Sequence, residues 1–220
     1  VGLPSEDLSY TSPSIAADGR FVVFDSVDDN MVADDRNRES DILLRDLVAG
    51  STELVSPRDE RLPTLTGDNS TSMGGSFFDH IVNILGDDSR FVAFKSNAAN
   101  LVTNDFDKLN DAFVYDAFTG RNALVSVKTN GVAEGVTSLG VGDRIQISAN
   151  GRIVLFASNK SGFVPNDANR LEDVFLRDMH TGITTLVSIN KNGTNSGQGS
   201  SWSPVMSDDG QYVAFMSSAR

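Results

Sequence analysis

The 220 residues contain no cysteine, which excludes a disulfide framework and any thiolate metal site. Basic residues are scarce: 18 Lys and Arg stand against 30 Asp and Glu, for a net charge of -12. That balance disfavours phosphate backbones and anionic membrane surfaces, so no nucleic-acid partner is expected, and cations or basic proteins are favoured instead. No apolar run approaches the roughly 20 residues of a membrane-spanning helix, so no membrane insertion of that kind is expected. Val1-Gly2-Leu3-Pro4 lacks the basic and apolar regions of a signal peptide. Histidine is limited to His80 and His180, at non-equivalent places and outside any H-E-x-x-H pattern. There is no G-x-S-x-G elbow, and the Gly-rich stretch from Gly193 to Gly199 lacks the Lys of a phosphate-cradling loop. No enzymatic motif is left, and the chain reads as a non-enzyme.

What the sequence has is repetition. The frame D-x-[ND]-x-x-x-D occurs as Asp35 to Asp41, Asp105 to Asp111 and Asp167 to Asp173. Its first Asp recurs from 35 to 105 and from 105 to 167, unequal steps of 70 and 62 residues, so the length differences fall in loops. Each copy follows a run such as Phe21-Val22-Val23-Phe24 and precedes one such as Ile42-Leu43-Leu44, which puts it between two strands. Upstream, Asp18-Gly19, Asn150-Gly151 and Asp209-Gly210 predict tight hairpins of type I′, with two central residues at positive φ. Downstream, Asp46 to Gly50, Asp116 to Gly120 and Asp178 to Gly182 predict a further turn. In it Asp takes a backbone N–H and Gly supplies positive φ, a structural role that needs no chemistry.

Each unit therefore predicts four antiparallel strands, in repeats of about 13–56, 81–127, 144–189 and a partial 203–220. Strand d is expected over Ser51 to Ser56, Asn122 to Val127 and Thr184 to Ile189. Repeats of this kind indicate an all-β fold, a β-propeller of four-stranded blades, with three full blades and half a blade. Phe24, Phe94, Phe156 and Phe215 recur at one point of strand b and are expected in the core between blades. The loops that join one unit to the next, Pro57 to Phe78 and Lys128 to Gly142, are where binding surfaces are usually built.

Pro13-x-x-x-x-Asp18-Gly19-Arg20-Phe21-Val22-Val23-Phe24 and its second copy, Pro204 to Phe215, resemble the WD40-like (PD40) repeats of TolB-type propellers. The fuller unit runs from Phe94, Ser96 and Asn100-Leu101-Val102 through Asp105, Asp111, Phe113 and Asp116 to Gly120 and Val125-Ser126. It is similar to a version common in bacterial exported proteins, which implies a periplasmic or extracellular location. Asp88-Ser89 departs from the pattern by lacking Gly, and Pro57 to Phe78 by its length.

The acidic frame offers hard oxygen ligands suited to Ca²⁺. Its candidates are Asp35, Asn37 and Asp41; Asp105, Asp107 and Asp111; and Asp167, Asn169 and Asp173, one ion per loop in one pose. Two carboxylates about 4 Å apart repel by roughly 1 kcal/mol in water and about 4 kcal/mol at an effective dielectric near 20, a cost that a divalent cation relieves. The loop is not an EF-hand, because Glu39, Leu109 and Leu171 stand at the fifth position and no Gly at the sixth. It is similar to the calcium loops of integrin-type propellers, though shorter. The competing reading is that Asp and Asn simply cap local backbone amides in these loops.

The expectation is a non-enzymatic, calcium-stabilised scaffold that binds a protein partner or further copies of itself. The resemblance also admits a propeller attached to a peptidase or forming a polysaccharide lyase, and the residues admit a structural array without metal. Three and a half units further lead us to expect a longer chain that closes the ring, or another copy that supplies the missing half.

Overall fold

Short apolar runs punctuated by Asp-Gly and Asn-Gly turns become short strands, and consecutive strands pair. The structure, a computed structural model, describes residues 13–28, 30–33, 40–62, 83–85, 90–107, 109–136 and 145–220. The first sheet holds β1 (Ser14–Ile15), β2 (Phe21–Ser26), β3 (Asp41–Asp46) and β4 (Ser51–Leu54). The second holds β5 (Asn83–Leu85), β6 (Phe91–Ser96), β7 (Asp111–Asp116) and β8 (Arg121–Leu124). The third holds β9 (Gln146–Ile147), β10 (Ile153–Ser158), β11 (Asp173–Asp178) and β12 (Ile183–Leu186). Strands β13 (Ser201–Met206) and β14 (Val213–Ser217) form a two-stranded unit. Every pair is antiparallel and every sheet keeps chain order, so each is a propeller blade.

The blades stack because their inner strands are apolar on both faces. In the second blade Val92, Phe94, Phe113 and Tyr115 face the first blade, joining Val23, Ile42, Leu44 and Val55. The alternating residues Ala93, Ala112 and Val114 face the third blade, joining Val154, Phe156, Phe175 and Leu186. Period-two alternation thus feeds two cores at once, which is why strand c reads as an unbroken apolar run. Phe94 and Phe156 lie in these cores as expected, each stacked on a cross-strand ring at 5.5 Å, Phe113 and Phe175 respectively. Phe24 is half-buried, and Phe215 stays exposed because β13, not β14, is the strand that packs on β10 and β11.

Two expectations need correction. The first turn is not type I′: among its residues only Gly19 has positive φ, at 72°. Gly19 donates its N–H to Ala16 O at 2.9 Å, and Asp18 Oδ1 accepts the Arg20 N–H at 2.9 Å. One glycine in the left-handed region suffices, which spares the Asp that cost. Gly151 and Gly210 repeat the arrangement. Strand d also ends early, at Leu54, Leu124 and Leu186, because the serine two residues on turns inward to a buried carboxylate, as described below.

Gly151 is constrained twice. Its φ is 71°, and a Cβ there would lie 2.1 Å from Phe91 Cδ2 on the neighbouring blade, whereas a Cβ on Gly19 would meet nothing within 4 Å. Gly19→Ala is expected to cost about 1 kcal/mol and Gly151→Ala roughly 2 kcal/mol more, read as denaturant midpoints. Equal losses at the two sites would contradict the packing argument.

Candidate functional site

Each acidic frame begins where a strand b ends in serine. Ser26, Ser96 and Ser158 close the b–c ladder opposite Asp41, Asp111 and Asp173. The serine Oγ then accepts the N–H two residues ahead, at 3.1 Å in each blade. In the second and third blades the loop is pinned by a buried apolar pair, Leu101-Val102 and Phe163-Val164, three residues before the first Asp of the frame.

In the second blade this places Asp105, Asp107 and Asp111 with one carboxylate oxygen from each within 4.8 Å of the others. Asp105 is 1% exposed and Asp111 0%, while Asp107 is exposed. Asp111 Oδ1 accepts the Ser126 hydroxyl at 2.5 Å, and Ser126 Oγ accepts the Ala112 N–H at 3.1 Å. Asp105 Oδ1 accepts the Asp107 N–H at 3.3 Å. The second oxygens, Asp105 Oδ2 and Asp111 Oδ2, are buried without a hydrogen-bond partner among the described residues. Burial pushes the Asp105 carboxyl up to about 6 and the Asp111 carboxyl up to about 8.

The third blade repeats the plan. Asp173 Oδ1 accepts the Ser188 hydroxyl at 2.5 Å, and Asp167 Oδ1 and Asp173 Oδ2 are buried without hydrogen-bond partners among the described residues. Burial pushes the Asp173 carboxyl up to about 6 and raises that of Asp167. In the first blade Asp41 is buried and takes the Ser56 hydroxyl at 2.7 Å. Asp35 and Asn37 lie outside the described residues, as do His80, Asp88-Ser89, and residues 63–78 and 137–142 of the two inter-unit loops. His180 sits in the β11–β12 turn, where its backbone N–H donates to Asp178 Oδ1.

In the second and third blades the loop also touches the connection leaving its own blade. Ala133 and Val136 donate their N–H groups to Asn104 O and Asn110 O, at 3.1 and 2.7 Å. Ser196 and Ser201 do the same to Asn166 O and Glu172 O, at 3.0 and 2.7 Å. The acidic loop is therefore the seat on which the next inter-blade connection rests.

Two recurring partnerships escaped the sequence reading. One is the inward serine, always 15 residues after the last Asp of the frame. The other joins Arg20 to Asp46, Arg90 to Asp116 and Arg152 to Asp178, always 26 residues apart, at 2.6–2.7 Å. These Asp residues also cap their turns, as expected: Asp46 Oδ1 accepts the Val48 and Ala49 N–H groups, and Gly50 N–H bonds Asp46 O. The regular signal was an Arg directly before each aromatic strand b, matched to the first Asp of the following turn.

The guanidinium hydrogen bonds hold the Asp46, Asp116 and Asp178 carboxyls below their ordinary range. A depressed folded-state value means that the unfolded chain binds more protons near pH 4, so this stability is present above about pH 4 and is lost on further acidification. The pairs are solvent-screened, so each is expected to contribute little. Arg152→Gln is expected to lower the urea midpoint at pH 6, with the gap to the parent narrowing steadily as the pH falls below about 4. A gap that widens in acid would refute the assignment.

A cavity of about 330 Å³ lies where the first blade's connection meets the β7–β8 turn, lined by Arg58, Asp59, Arg61, Leu101, Arg121 and Asn122. Two of its arginines are already paired, Arg61 with Asp59 at 2.5 Å and Arg121 with Glu60 at 3.3 Å.

No protein-family model matches the chain. No curated protein matches it either. Solved structures do. TolB from Acinetobacter baumannii aligns at 19% identity and a TM-score of 0.45, over 94% of this chain and 43% of its own. The β-propeller domain of the Trilobed protease from Pyrococcus furiosus aligns at 12% identity and a TM-score of 0.41, over 80% and 41%. A prolyl endopeptidase structure aligns at 14% and 0.49, over 96% and 27%. The chain thus spans less than half the length of each, and likeness at this level carries no activity, substrate or partner across to it.

Proposed function

We propose that the chain is a calcium-binding propeller scaffold of an exported bacterial protein, periplasmic or extracellular, that binds a protein partner or further copies of itself and performs no catalysis. The observation that carries the calcium part is the second-blade cluster: Asp105, Asp107 and Asp111 bring one carboxylate oxygen each within 4.8 Å of one another, and Asp105 Oδ2 and Asp111 Oδ2 are buried without a hydrogen-bond partner among the described residues. Buried anionic oxygens left so are costly, and a hard divalent cation with oxygen coordination removes the cost. The net charge of -12 supports a basic partner or a cation over nucleic acid.

Calorimetry on chelated protein, titrated with Ca²⁺, tests the reading. The expected outcome is a binding heat with a dissociation constant of about 10⁻⁴ to 10⁻³ M, as for extracellular modules. Saturation near a hundredfold excess over the lower value is expected to raise the melting temperature by roughly 5–10 °C. No heat and no rise at millimolar Ca²⁺ would sink it.

A further inference from the structure

The frame carries Asp at its third position in the second blade and Asn in the third, and the two side chains are bonded differently. Asn169 Nδ2 donates to Gly197 O at 2.7 Å, while its Oδ1 accepts the Leu171 N–H at 2.6 Å. Gly197 belongs to the connection that leaves the third blade, so the amide ties that connection directly to the acidic loop. In the second blade Glu134 stands in the place of Gly197: Glu134 N–H bonds Ser126 O at 3.0 Å, just as Gly197 N–H bonds Ser188 O at 3.1 Å. Asp107 Oδ1 accepts the Leu109 N–H at 2.9 Å in the manner of Asn169, yet a carboxylate has no N–H to give to the connection, whose amide tie in this blade comes from outside the frame, Asn104 Nδ2 to Gly131 O at 2.9 Å. What Asp107 brings is a third carboxylate beside those of Asp105 and Asp111, whose Oδ2 atoms are buried without a hydrogen-bond partner among the described residues. The third-blade frame carries Asp167, Glu172 and Asp173, but among the described residues only Asp105, Asp107 and Asp111 bring one carboxylate oxygen each within 4.8 Å of one another.

We propose that the connection out of the second blade is fastened by a calcium ion held between Asp105, Asp107 and Asp111, whereas the connection out of the third is fastened by the Asn169 amide and stands without metal. This rests on the calcium reading above. Converging ligand charge sets affinity in such sites, so the loop whose three carboxylates meet fills first. The ion neutralises the loop whose Asn104 and Asn110 carbonyls seat Ala133 and Val136, and its removal restores the repulsion among the three Asp and loosens that seat.

Hydrogen exchange of the whole chain, with Ca²⁺ and with chelator, reads both connections in one sample. Chelation is expected to speed exchange across residues 126–136 by at least about tenfold and to leave residues 188–200 within about twofold. Asp107→Asn is expected to make 126–136 indifferent to chelation, and Asn169→Asp to make 188–200 sensitive. Far-UV circular dichroism of both variants checks that they fold, and the parent comparison stands without them. Equal responses in the two connections overturn the proposal. So does an indifferent 126–136 in protein that gives a calcium heat, or an Asp107→Asn variant that keeps the parent's response. Absence of any calcium heat is a separate failure, that of the calcium reading itself.

Discussion

Asp111→Asn is expected to raise the melting temperature in chelator and to abolish the calcium-induced rise, so the substitution changes sign between the two conditions. Asp111 is fully buried, with one oxygen on the Ser126 hydroxyl and the other without a partner among the described residues. A carboxyl in that position is destabilising unless a cation faces it, whether it is held ionised or, with its value pushed up to about 8, takes up a proton near neutral pH. An amide of the same shape keeps Oδ1 as the acceptor for Ser126 and removes the charge. A gain of about 2 kcal/mol in chelator is expected, or roughly 4–8 °C for a chain of this size. Asp111→Ala serves as the contrast: it strips Ser126 of its acceptor and opens a void, so it lowers stability in both conditions. Thermal melts with and without Ca²⁺ decide the matter. A variant that is less stable than the parent in chelator, or that still responds to Ca²⁺, would refute the account.

The blade plan was legible because it rests on local chemistry. Asp-Gly and Asn-Gly mark turns within a few residues, and runs such as Phe91 to Phe94 and Ala112 to Val114 mark the strands between them. The acidic frame was legible through repetition, since one copy alone reads as an ordinary polar loop. What stayed hidden depends on register. Ser126 lies 15 residues from Asp111, and Arg90 lies 26 from Asp116. Only the pairing of Phe91 with Asp116 brings that Arg and Asp together, and no local pattern announces it. The turn type was misread for a similar reason: Asp-Gly fits two-residue and longer turns alike, and the closing pair selects between them. The contrast between Asp107 and Asn169 was hidden because both suit an oxygen-ligand frame, and only the position of the Gly197 carbonyl separates them.

Phe175→Ala is expected to have the largest effect on stability and to act on one side of the molecule. The Phe175 ring stacks on Phe156 at 5.5 Å and meets Phe163 at 5.2 Å, and Phe163 meets Phe156 edge-on at 5.3 Å, so one truncation opens a cluster of three rings. Removing a buried phenyl costs about 3–5 kcal/mol, with roughly 1 kcal/mol more for the lost ring pairs. Phe163 also pins the loop that presents Asp167, so the third-blade frame loosens with the core. Stacked blades contact only their neighbours, so the loss should fall on the third blade and on β13, which packs against it, more than on the first blade. Trp202, the sole tryptophan, lies on β13 and reports this end of the chain. The tryptophan midpoint is expected to fall by about 10 °C or more, while exchange of the Asp41–Asp46 strand stays slow at temperatures where the fluorescence change is complete. If both probes shift together, the blades unfold as one unit and the nearest-neighbour picture of their coupling fails.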